Sequence, residues 1–162
     1  DNTTTMDAAM RQRLEATWQR IENSVPGRHF NFDFWRHCTP YRSTYPSCRA
    51  VIAAMAQGEG FDEPMTKAIQ QAYYQQARNP SELEILIEIA SEIGLNREAF
   101  AAAIQSDEVE AELQRQLSFA AKIGAESYPA LILSVNGSRW PISIDYHDAA
   151  PMLDTIDFLL QG

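Results

Sequence analysis

The sequence has only two cysteines, Cys38 and Cys48, among 162 residues, and no Cys-x-x-Cys. Their spacing excludes a zinc ribbon, a haem-attachment motif and a vicinal redox pair. A disulfide between them would imply an oxidising compartment, and two free thiols a reducing one. His29 and His37 lie near Cys38 in sequence without the compact spacing of a ligand set, so no metal site is expected. Basic residues are also scarce. Thirteen Lys and Arg face 22 Asp and Glu, for a formal net charge of -9. That excludes the basic footprint of a nucleic-acid binder. No run approaches the ~20 apolar residues of a membrane-spanning helix, and no signal-peptide pattern is present. Gly58-Glu59-Gly60 lacks the further glycines and the Lys of a phosphate loop. The chain opens on Asp1-Asn2-Thr3 instead of Met, so residue 1 is expected to follow a leader or a longer N-terminal segment.

What is present is globular. With 45% apolar and 22% charged residues, the chain can build one core. Met6, Met10, Leu14, Trp18, Ile21 and Val25 form one stripe of an amphipathic helix. It is entered from Thr3-Thr4-Thr5 and stopped by Pro26-Gly27. Phe30, Phe32 and Phe34 alternate with Asn31 and Asp33, as an extended segment or loop anchor. With Trp35 they are expected to anchor the core more than to line a substrate groove. Ser43 or Thr44 caps a helix with Pro46 in its first turn. Its predicted buried face is Cys48, Val51, Ile52 and Met55, which makes Cys48 a small buried side chain and Cys38 a loop thiol. Helices follow from Pro64, from a capping box at Ser81-Glu82-Leu83-Glu84, from Asn96, and from Ser106-Asp107-Glu108 to Gly124.

The pattern changes after Gly124. Ala130 to Val135 is a short apolar run. Asn136-Gly137 is a strong two-residue hairpin signal, and Arg139 to Ile144 alternates. Pro141 places the second strand at a sheet edge. Asp148 caps a last helix carrying Met152, Ile156, Leu159 and Leu160. His147 beside Asp148 reads as a surface turn, because no nucleophile signal accompanies it. The strand Leu131-Ile132-Leu133 is apolar enough to ask for neighbours that the chain does not supply.

Two motifs carry a resemblance. One is the passage from helix through Gly124 and Ser127-Tyr128-Pro129 into a strand, hairpin and helix. The other is Pro40-Tyr41-Arg42-Ser43-Thr44 followed by Cys48-Arg49-Ala50. Together they resemble the DsbA-like thioredoxin superfamily, near its FrnE-like disulfide oxidoreductases and its 2-hydroxychromene-2-carboxylate isomerase and kappa-class glutathione transferase branch. The resemblance implies an α/β, mostly helical chain: the C-terminal half of a thioredoxin fold, a β-hairpin plus helix, with a DsbA-like inserted helical domain. Residues 1–123 would be the insertion and connecting helix, and residues 124–162 the thioredoxin part.

The resemblance further implies a cis bond at Pro129, with Ser127, Tyr128 and Pro129 binding substrate and Tyr128 pairing with an extended backbone. The family's catalytic cysteines are absent, so no catalytic residue falls within this chain, and these residues alone are expected to be inactive. Cys38 and Cys48 stand as redox or structural thiols. The implied activity of the whole protein is thiol–disulfide exchange with a substrate protein. The alternatives are a glutathione-dependent isomerase or transferase, with glutathione held at the proline loop, and a non-catalytic helical interaction module that forms a homodimer through open strand edges. No other cofactor is implied. The branch points to the cytoplasm, with the periplasm as the alternative.

Overall fold

The computed structural model describes residues 3–125 and 127–161; Asp1, Asn2, Glu126 and Gly162 lie outside the described residues. The order is α1 (Ala8–Ser24), α2 (Asp33–His37), α3 (Tyr45–Met55), α4 (Asp62–Gln75), α5 (Leu83–Glu92), α6 (Arg97–Ala103), α7 (Asp107–Lys122), β1 (Leu131–Val135), β2 (Ser138–Ile142) and α8 (Ala150–Leu160). The chain forms two compact units, Asp1–Leu113 and Gln114–Gly162. The division between these compact units falls within α7.

In the helical unit, the cap of α1 is Asp7, whose Oδ1 accepts from the Met10 N–H at 2.7 Å. The expected threonine entrance is used differently. Thr5 bridges Tyr41, the Met6 N–H donates to the Pro40 carbonyl at 2.9 Å, and the Arg42 N–H donates to the Thr4 carbonyl at 2.8 Å. Thr4 and Thr5 are held in that pairing ahead of the helix, and the residue directly before Ala8, Asp7, supplies the cap from an extended backbone. Trp18, Phe34, Trp35 and Cys38 form a buried cluster, with Leu14, Phe30, Phe32 and Tyr73 packed against it. The phenylalanines therefore anchor the core, as expected of aromatic side chains, but Phe34 does so from α2 and not from an extended segment.

α3 packs on α4, α5 and α6. Its buried residues are Ala50, Ile52, Ala53 and Ala54, while Cys48 and Met55 are exposed. The predicted face followed the largest apolar side chains. A helix with neighbours on several sides instead turns its smallest residues inward, where backbones approach. The capping box at Ser81 does not form either. Asn79 is buried at 3% exposure; its Oδ1 accepts from the Ser81 N–H at 3.1 Å and its Nδ2 donates to Glu82 at 2.8 Å. The Ser81 hydroxyl accepts from the Tyr41 N–H at 2.9 Å and is thus committed elsewhere. Asn96 caps α6 as expected, accepting from the Ala99 N–H at 2.8 Å.

In the second unit, β1 and β2 pair antiparallel, with Leu131 opposite Ile142 and Leu133 opposite Trp140. Asn136 and Gly137 both have positive φ, 50° and 78°, which is the type I′ geometry that matches strand twist. α8 packs on β2. Met152, Ile156 and Leu159 are half-buried, while Leu153, Phe158 and Leu160 are exposed.

Candidate functional site

The candidate site is the segment that joins α7 to β1. α7 ends in a double reverse turn: the Ala125 N–H reaches the Ala120 carbonyl at 3.0 Å and the Gly124 N–H reaches the Ala121 carbonyl at 3.1 Å. That pattern needs a left-handed residue just past the helix, and Gly124 supplies it at φ +86°. The chain then emerges through Ser127 and Tyr128 into Pro129 and enters β1 at Leu131. The Tyr128–Pro129 peptide bond is cis. Ser127, Tyr128 and Pro129 are all exposed, and Tyr128 is 70% accessible although it is a large aromatic. The three residues expected to bind substrate lie at the entrance to β1.

The two thiols are not part of that loop, and their environments are the reverse of those expected. Cys38 is buried against the aromatic cluster, and its Sγ–H donates to the Ala77 carbonyl at 3.3 Å. Burial pushes its pKa up, Glu82 adds to the rise, and Arg11 opposes it. Cys48 is exposed on α3, and both cysteines are free. Cys38 rides on a segment drawn inward by Phe34 and Trp35, whereas Cys48 lies opposite the alanine face of α3. Iodoacetamide at pH 8 is therefore expected to label Cys48 at least about tenfold faster than Cys38, because the thiolate is the nucleophile and only Cys48 is reachable. Peptide mass mapping over time checks this; equal rates would show that Cys38 is open to solvent. Since the Cys38 pKa is raised on folding, its protonated form stabilises the fold below the ordinary thiol range. That contribution is lost as pH climbs from the ordinary thiol range through the raised value of the folded state.

Asp145 organises the turn at His147. Its Oδ1 accepts from the N–H groups of His147 at 2.8 Å and Asp148 at 3.1 Å. These bonds, the one from His147 foremost, pull its pKa down. The carboxylate is occupied with backbone and His147 is exposed, which is a surface turn. Asp148 accepts from the Ala150 N–H at 2.9 Å at the start of α8. Among the described residues, no three His, Cys, Asp or Glu side chains stand together as a metal site.

A family model described as thioredoxin matches residues 2–147. The chain belongs to the thioredoxin family. Among solved structures, a provisionally assigned protein disulfide isomerase from Nitrosomonas europaea is similar at TM-score 0.77 and 24% identity, covering 98% of this chain and 77% of that one. The cytosolic disulfide reductase DsbM from Pseudomonas aeruginosa is similar at TM-score 0.72 and 22% identity, covering 99% and 82%. A second structure of DsbM, with GSH, gives 0.70 and 23%, covering 99% and 80%. No curated protein matches the chain. The fold is thioredoxin-like, mostly helical with a two-stranded antiparallel sheet among the described residues.

A signal that sequence reading carried without its role is Arg49, in the stretch Cys48-Arg49-Ala50. Its guanidinium donates to the carbonyls of Ile104 at 2.9 Å and Ser106 at 3.2 Å and pairs with Glu110. That part of the motif is a structural clamp and not a substrate contact.

Proposed function

We propose that this chain carries the substrate-orienting part of a thiol–disulfide oxidoreductase, with Ser127, Tyr128 and Pro129 as its binding edge. The observation that carries the reading is the exposed Ser127–Pro129 loop at the entrance to β1, in a chain of the thioredoxin family. The sequence holds no Cys-x-x-Cys, so the attacking thiolate is assigned to residues beyond these 162. In the reaction, that thiolate attacks one sulfur of a disulfide. A mixed disulfide forms and the other sulfur leaves as a thiolate. A second thiol then resolves the mixed disulfide, so that one disulfide is reduced as one dithiol is oxidised. The backbone N–H and C=O of Tyr128 hold the substrate chain by strand-like pairing. A peptide thiol such as glutathione fits this mode, and the similar DsbM has been solved with GSH. We place the protein in the cytoplasm, as that neighbour is described as cytosolic.

Titration of the chain with oxidised glutathione, followed by amide chemical shifts, tests the binding half of this reading. The Tyr128, Ala130 and Leu131 amides are expected to shift together and to saturate. Shifts confined to the helical unit, or none at millimolar glutathione, would remove the loop from the substrate path. The same chain is expected to show no turnover in a glutathione–disulfide exchange assay.

A further inference from the structure

The helical unit holds a groove that thiol–disulfide chemistry leaves unused. It runs between the C-terminal half of α1 and α4, is open to solvent on one side, and has a volume of about 580 Å³. That lies within the range of small-molecule sites. Its floor is aromatic. Trp18 and Phe30 stack with centroids 5.0 Å apart and planes at 20°, and Tyr74 meets Phe30 edge-on at 5.6 Å. Trp18 is buried, Phe30 is half-buried and Tyr74 is 36% exposed, so part of the ring surface remains open to a ligand.

The groove's lining carries basic side chains and no acidic one. In a chain of net charge -9, Arg28, His29 and Lys67 all line this one groove. Two of them have carboxylate neighbours. His29 Nδ1 is 3.3 Å from Glu22 Oε1, which also accepts from the Phe30 N–H at 3.1 Å, and Lys67 pairs with Glu63 at 2.6 Å. The Lys67–Glu63 pair is wide open to water, with side chains 72% and 71% exposed, so an incoming anion exchanges for it at little loss. Arg28 makes no ion pair among the described residues. A free guanidinium beside an aromatic floor is suited to a planar carboxylate, which it can hold in bidentate fashion.

We propose that this groove binds a small amphipathic organic anion. Its flat apolar body lies on Phe30 and Tyr74, above the buried Trp18, and its carboxylate lies at Arg28 and Lys67. A groove of this volume suits one small molecule. The site is independent of the Ser127–Pro129 loop and stands or falls separately from it.

The test uses 1-naphthoate and its neutral counterpart 1-naphthylmethanol as probes, on the whole chain, with amide shift mapping. Shifts are expected in Thr17–Ile21, Arg28–Phe30 and Lys67–Gln75, with naphthoate bound about tenfold more tightly than the alcohol. The variant combining Arg28→Gln with Lys67→Gln is expected to remove that preference while its spectrum stays folded, since both side chains are exposed. Equal binding of the two probes overturns the proposal. So does a shift pattern centred on β1, β2 or α8, and so does the absence of saturable binding up to millimolar probe.

Discussion

Replacing Trp18 with alanine is expected to cost about 3–5 kcal/mol of folding stability, the largest effect of any single truncation in the chain. Trp18 is 4% exposed. Its ring lies between 4.9 and 6.1 Å from the rings of Phe30, Phe32, Phe34, Trp35, Tyr73 and Tyr74. It is therefore the hub through which α1, α2 and α4 share one core. Burying a tryptophan removes roughly 150–250 Å² from water, and each well-placed ring pair adds about 0.5–1.5 kcal/mol beyond area. Truncation also leaves a cavity lined by rigid rings, which cannot collapse to fill it. A typical domain has only about 5–15 kcal/mol in hand, so much of the margin disappears. In urea unfolding, the midpoint should fall sharply with the slope unchanged. A loss below about 1 kcal/mol would mean that the aromatic cluster contributes little in solution. Trp18→Phe, which keeps a ring in the same place, should recover about half of the loss.

The features that sequence reading located are those written in local backbone chemistry. Gly124 ends α7, Asn136-Gly137 turns the hairpin, and Asn96 caps α6, because each needs only its immediate neighbours. The Ser127-Tyr128-Pro129 segment between a helix stop and an apolar strand was located for the same reason, while its binding role came only from the family resemblance. The features that were missed depend on partners far away in sequence. Ser81 could not serve a capping box because its hydroxyl is held by the Tyr41 N–H, 40 residues earlier. Thr4 and Thr5 could not cap α1 because they pair with the segment around Tyr41. The exchange between Cys38 and Cys48 has the same origin. Helical periodicity marks a stripe of large side chains, but three neighbouring helices select the alanine stripe at 50, 53 and 54. The groove over Trp18 and Tyr74 was invisible for this reason too. Its floor joins residues from α1, the loop at Phe30 and the end of α4, and no window of sequence contains all of them.

Arg49→Ala is expected to destabilise the chain by about 2–3 kcal/mol, because one guanidinium serves three acceptors at a helix junction. Ile104 is the C-cap residue of α6, and the Ser106 hydroxyl accepts from the Val109 N–H at the start of α7. Arg49 bonds both of those carbonyls and pairs with Glu110, tying α3 to a junction 55 to 61 residues further along the chain. Its side chain is only 22% exposed, so water replaces these bonds poorly once it is removed. Lysine carries the charge without the planar fork and can reach only part of the set, so Arg49→Lys should still lose more than half as much. Glu110 is 41% exposed, and Glu110→Gln should cost no more than about 1 kcal/mol. The comparison separates two accounts of the clamp. If the carbonyl bonds dominate, Arg49→Ala stays costly in a Glu110→Gln background, and the double-mutant coupling is a small part of the total. If the ion pair were the whole interaction, Arg49→Ala would become nearly neutral there, and the junction would be held by the packing of Val109 and Leu113 alone. Thermal unfolding of the four proteins decides between them, since 1 kcal/mol moves the midpoint of a chain this size by about 2–4 °C.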